Sequence, residues 1–218
     1  EPEVLPECVE ECGAGHSTGL RAFHPMAIPV LRRAAFANRL WNYAKIGVME
    51  QDFSDFRPTR VWKRLSPERR LAVAEPFWSD EQSAEQQAEA IAAIALRMKF
   101  RTKSVLALPI EKRVKYLSTL PTISDTIVAR AMVAYHLERQ RPMMSAFLDS
   151  LGITHENGLI ADETLPTQDA DKLRAAAAEL ATKFPEDDVS LYFATLVAQD
   201  PETWGGLAEH CQSLVGSR

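Results

Sequence analysis

The sequence predicts an all-α protein, a multi-helix bundle or a short stack of helical hairpins with eight or nine helices. Three observations carry that reading. Apolar residues recur at spacings of three and four, helix-start signals precede several of these stretches, and no convincing strand appears. The 218 residues, 46% apolar and 25% charged, have an ordinary globular composition. No window approaches the roughly 18 consecutive apolar residues of a membrane span.

Residues 1–24 read as a poorly structured acidic arm, rich in Glu, Gly and Pro and without sustained periodicity. Residues 25–218 read as a single helical domain, with a sub-boundary near 152–167 as an alternative. From Pro25 to about Val48, Ile28, Leu31, Ala35, Phe36, Leu40 and Tyr43 line one long helix. Gln51–Pro58 is a polar connection with two Phe. Ser66-Pro67-Glu68 starts the next helix: the serine accepts from free N–H groups, proline suits the first position, and glutamate suits the positive end of the dipole. That helix is expected to stop near Glu75-Pro76.

Ser79-Asp80-Glu81-Gln82 is a capping-box pattern that opens a helix to about Phe100. Its half Ala88–Met98 is apolar on nearly every face, which predicts a central, closely packed position. Ser104–Ile110 reads as a buried connection or helix turn. Pro109 opens a helix bearing Ile110, Val114 and Leu117. Ser124-Asp125 caps the next, with Val128, Ala131, Met132 and Tyr135. Pro142 begins a short helix that Gly152 ends. Ile153–Thr167 is the longest internal loop, with the turn signal Asn157-Gly158. Asp171–Phe184 carries an apolar stripe and stops at Pro185. Ser190–Ala198 is apolar on most faces. Asp200-Pro201-Glu202 opens a last helix, which Gly205-Gly206 should weaken by ~1 kcal/mol per glycine.

Charge is unevenly distributed. Arg21–Arg141 holds 21 Lys/Arg against 12 Asp/Glu, whereas Pro142–Arg218 holds 4 against 13. Residues 1–20 carry 5 acids and no Lys/Arg. The favoured expectation is that the basic middle and the acidic last third neutralise each other. The sharper one is a basic face that meets an anion or acidic partner. The three cysteines argue against a disulfide scaffold and fit a reducing, cytoplasmic setting, although a Cys8–Cys12 bridge stays open. The chain begins with Glu1 rather than Met, as a processed or excised product would.

Four features carry candidate chemistry. Cys8, Cys12, His16 and His24 form C-x3-C-x3-H-x7-H, and thiolate with imidazole suits tetrahedral zinc. Gly13 and Gly15 oppose the helix that would gather them, so incidental cysteines on an acidic arm are the favoured reading. Carboxylate-bridged di-iron chemistry is rejected, because no histidine has Glu three residues before it. His155 and Glu156 lie in the long loop, with His136 as a helical companion for proton transfer. A polar surface turn is the plainer reading of the loop pair. Finally, two basic clusters surround aromatic rings: Arg57, Arg60, Lys63, Arg64, Arg69 and Arg70 around Trp62, and Arg97, Lys99, Arg101 and Lys103 around Phe100. Such interleaving can hold phosphates and stack bases, yet the acidic overall balance and the lack of a binding motif oppose nucleic acid.

These features leave three expectations. The first is a non-catalytic interaction or scaffold protein that offers a groove to a protein or peptide, with Trp62, Trp78 and Trp204 as exposed anchors near helix ends. The second is an enzyme or small-ligand binder with an inter-helix pocket. The third is a nucleic-acid binder using the basic clusters. No cofactor is expected.

Overall fold

The computed structural model describes residues 52–160, 165, 168–211 and 214. The acidic arm, the expected Pro25–Val48 helix and all four N-terminal Cys and His lie outside the described residues. Within them the fold is all-α. The helices are α1 Pro58–Arg64, α2 Pro67–Phe77, α3 Ala84–Met98, α4 Thr102–Leu106, α5 Ile110–Ser118, α6 Asp125–Arg139, α7 Arg141–Leu151, α8 Ala170–Lys183, α9 Glu186–Gln199 and α10 Pro201–Trp204. Short 3-10 turns cover Phe53–Phe56, Glu81–Ser83 and Gly205–Cys211. No described helix is long and apolar enough to cross a membrane.

The caps work as their residue types dictate. Ser66 Oγ accepts from Arg69 N at 3.1 Å, and Ser124 Oγ accepts from Ile127 N at 3.3 Å. Gly152 closes α7 at φ 69°. Other expectations need correction. Helix α1 follows the expected Gln51–Pro58 connection, where the sequence predicts no helix because these seven residues hold two arginines and a lysine; Pro58 at its first position starts it. Helix α2 runs through Pro76 to Phe77, since a proline in the last turn forfeits a single N–H bond. Helix α9 begins four residues early, at Glu186, where Glu186, Asp187 and Asp188 occupy the positive end of the dipole.

Two further corrections concern irregular segments. The long loop contains a small antiparallel hairpin, His155–Glu156 with Leu159–Ile160, turned by Asn157 (φ 50°) and Gly158 (φ 83°). Gly158 lies so close to α7 that a Cβ there would sit 2.8 Å from Met144 Cβ. The last helix changes to a 3-10 turn at Gly205, where the Phe53 ring occupies the space of a side chain: a Cβ on Gly205 would come within 2.7 Å of Phe53 Cζ.

A single apolar cluster runs from Phe56 to Cys211 and includes residues from both sides of the hairpin. Helix α6 packs on α2, α1, α3 and α9, and α8 packs on α7. Phe147 stands at an aromatic centre, with ring centroids of Tyr192, Phe193 and Trp204 at 5.7, 5.1 and 6.1 Å. The expectation that α3 is central is overturned. Ala90, Ile91, Ile94 and Ala95 are buried, while Ala88, Ala92 and Leu96 face solvent. Alanine on an exposed face is a helix former and carries no packing information.

Candidate functional site

The three tryptophans expected as exposed anchors are core residues: Trp62 is 1% exposed, and Trp78 and Trp204 are also buried. Each indole sits near a helix end but inward, because a ring this large releases several kcal/mol only when removed from water. Trp62 is thereby withdrawn from the binding set.

The cations around it are largely spoken for. Arg57 donates to Asp125 at 2.8 Å, and Arg60 and Arg64 converge on Asp55 at 3.3 and 3.0 Å. Asp125 also accepts from the Thr59 N–H at 2.9 Å, so the first residue of α6 caps α1. Burial pushes this carboxyl upward, but the Thr59 N–H and the Arg57 guanidinium outweigh it and hold Asp125 below the usual carboxylate range. Lys63 is exposed. Arg69 pairs with Asp188 and lies over the Tyr135 ring, 5.1 Å from its centroid. Tyr135 donates to Asp188 at 3.3 Å and accepts from Gln140 at 3.2 Å. This network ties α2, α6 and α9 together, and no sequence signal joined its members.

Neutralisation between the basic middle and the acidic third is therefore narrow. Among the described ion pairs, only Arg69–Asp188 joins the two; Arg57, Arg60, Arg64, Arg130 and Arg139 use acids of their own stretch.

The second cluster is arranged differently. Arg97, Lys99, Arg101 and Lys103 are all exposed, and none has an ion-pair partner among the described residues. Between them the chain shows large apolar side chains to water: Leu96 is 84%, Phe100 43% and Leu106 54% exposed, with Met98 and Ile110 exposed as well. Lys99 closes α3 in the left-handed conformation at φ 55°. Its N–H bonds to Leu96 O and the Phe100 N–H bonds to Ala95 O, a helix ending that glycine ordinarily supplies. Phe100 then meets Tyr116 edge-on, with centroids 6.4 Å apart. A cleft of about 460 Å3 opens here, lined by Arg97, Met98, Lys99, Tyr116, Thr119 and Leu120. Between Leu96 and Lys115 the sequence holds seven Lys/Arg and one Glu.

The expected His155, Glu156 and His136 group is not assembled. His155 clasps the hairpin: Gly158 N donates to its Nδ1 at 3.2 Å, which leaves Nε2 to donate to Asp149 at 3.1 Å. Glu156 is exposed. His136 is 2% exposed, on α6, 3.0 Å from Thr195 Oγ1. Thr195 donates its hydroxyl proton to Leu191 O at 2.8 Å, so His136 holds its proton on Nε2. Burial, with Arg69 nearby, pushes His136 down to about 3, which keeps it neutral. A cavity of about 60 Å3 beside it is lined by α6, α7 and α9 and by Gly158–Ile160, but not by His155 or Glu156. Cys211 is buried, with its thiol pushed up to about 12 by burial. Among the described residues, no group of three or more His, Cys, Asp or Glu is placed to hold a metal ion.

No protein-family profile, curated protein or solved structure matches this chain.

Proposed function

We propose that this chain is a non-catalytic helical docking protein that holds a protein partner at the corner built from the end of α3, α4 and α5. One observation carries the reading. Five large apolar side chains between Leu96 and Ile110 are exposed, alternating with cations that have no ion-pair partner among the described residues. A cluster of exposed apolar side chains marks a contact surface, whereas singly scattered ones do not. Lys99 adds weight. A lysine held in left-handed backbone costs about 1 kcal/mol relative to glycine, which favours a role for its charge at this spot.

The same cations around Phe100 suit a nucleic-acid strand less well. Leu96, Leu106 and Ile110 offer nothing to phosphates, and strand binding would leave them in water. The His136 cavity supports an enzyme reading less well still. It holds a neutral, fully buried imidazole that bonds Thr195, with no ionised group lining it.

The test is proximity cross-linking in the native source with the wild type and a Leu96→Ser/Phe100→Ser/Leu106→Ser variant. All three side chains are exposed, so circular dichroism should be unchanged. The expected result is that the cross-links located at residues 96–120 vanish in the variant. A variant that keeps every native association removes the docking role from this corner.

A further inference from the structure

We infer that the partner segment is an acidic amphipathic helix that seats an apolar side chain in the cleft lined by Met98, Tyr116 and Leu120; this rests on the docking reading above. The argument is by complementarity. The corner offers exposed apolar area and positive charge together, so its occupant must bring apolar area and negative charge together.

The described surface of a second copy does not meet that requirement. Corner against corner would oppose two sets of exposed cations, Arg97, Lys99, Arg101 and Lys103 in each. The acidic third offers Glu186, Asp187 and Glu202 to solvent, but every exposed large apolar side chain among the described residues lies between Leu71 and Ile110. A copy docked through its acidic face would match charge and leave the leucines and Phe100 against polar groups.

The backbone of the occupant follows from what the corner lacks. The described surface there consists of helix sides and helix ends, with the two-residue hairpin strands elsewhere, against α7. An extended segment laid on apolar side chains would bury N–H and C=O groups with no strand edge to satisfy them. A helix satisfies its own. The concavity points the same way. A cleft of about 460 Å3 accepts a large apolar side chain with carboxylates reaching Arg97 and Lys99, whereas a flat bilayer would bridge it.

The test uses the purified full chain and a synthetic peptide of about sixteen residues, rich in Glu and Leu with one Trp, its apolar residues at i, i+3, i+4 and i+7. A control peptide has the same composition with the apolar residues dispersed. Vesicles of phosphatidylcholine and phosphatidylserine, and an oligothymidylate, complete the series. Fluorescence anisotropy should give a Kd of ~10 μM for the amphipathic peptide and at least tenfold weaker binding for the dispersed one. Leu96→Ser/Phe100→Ser and Arg97→Glu/Lys99→Glu should each weaken the amphipathic peptide at least tenfold, with unchanged circular dichroism. Equal affinity for both peptides, or vesicles or oligothymidylate binding more tightly than the amphipathic peptide, overturns the inference. The two ideas fail separately. If native cross-links need the corner but the peptide does not bind, the partner chemistry is wrong and the docking role stands.

Discussion

The two basic stretches, Arg57–Arg70 and Arg97–Lys103, share one sequence pattern: cations spaced along the chain around a large aromatic ring. The fold gives them opposite fates. In the first, the ring is Trp62, sealed in the core, and most guanidiniums are tied to Asp55, Asp125 and Asp188. In the second, the ring is Phe100, half in water, and the cations stand without ion partners among the described residues. The difference teaches that a basic–aromatic pattern carries no function by itself. What decides is whether carboxylates and core are within reach once the helices pack.

Mutation should separate the two regions most sharply at their rings. Trp62→Ala removes a fully buried indole and is expected to destabilise by about 3–5 kcal/mol in urea unfolding, whereas Phe100→Ala should change stability by less than about 1 kcal/mol. Comparable losses at both positions would erase the contrast.

Acid should act on the core beneath the first stretch, through His136. Unfolded, His136 takes up a proton near 6.5; folded, it does so only near 3. Between these values the unfolded chain binds more protons, so stability falls as pH falls. The slope is on the order of 1 kcal/mol per pH unit, or ~3 kcal/mol lost by pH 4. His136→Gln should flatten that slope in a pH series of denaturation midpoints.

The ion pairs come next in size. Asp188→Asn keeps one accepting oxygen but removes the negative charge that faces Arg69 in a partly buried site, and should cost about 1–3 kcal/mol. Lys99→Gly should do the opposite, stabilising by about 1 kcal/mol through relief of the left-handed backbone while weakening partner binding. A stability gain with binding intact would show that the Lys99 charge is dispensable. Smallest of all, Arg60→Gln breaks an exposed pair with Asp55 and should move stability by less than ~1 kcal/mol.

Much of this contrast was hidden in the linear pattern for identifiable reasons. Helix existence was legible at Ser66, Ser124, Pro142 and Gly152, because caps are local chemistry. Burial was not. Ala88–Met98 and Ser190–Ala198 both read as apolar on most faces, yet α9 is buried from Val189 to Val197 while Leu96 is the most exposed large apolar residue described. Periodicity reports a helix and its stripe; it does not report how many neighbours the helix will have. The candidate site was half legible for the same reason. Arg97, Lys99, Arg101 and Lys103 stood out as a cluster, but the cleft beside them needs Tyr116 from α5 and Leu120 just after it, and only packing places those two residues there.

What the order of residues determined alone is the helical class, most helix starts and stops, and the Asn157-Gly158 turn. Each depends on groups within a few positions along the chain, and hydrogen bonds of that range form without knowledge of the rest. Tertiary structure decided which cations found carboxylates, which tryptophans went inward, and that His155 clasps a hairpin while His136 sits neutral in the core. Those outcomes depend on desolvation and on charges brought together from far along the chain, as Arg69 and Asp188 are, and neither exists until the helices pack.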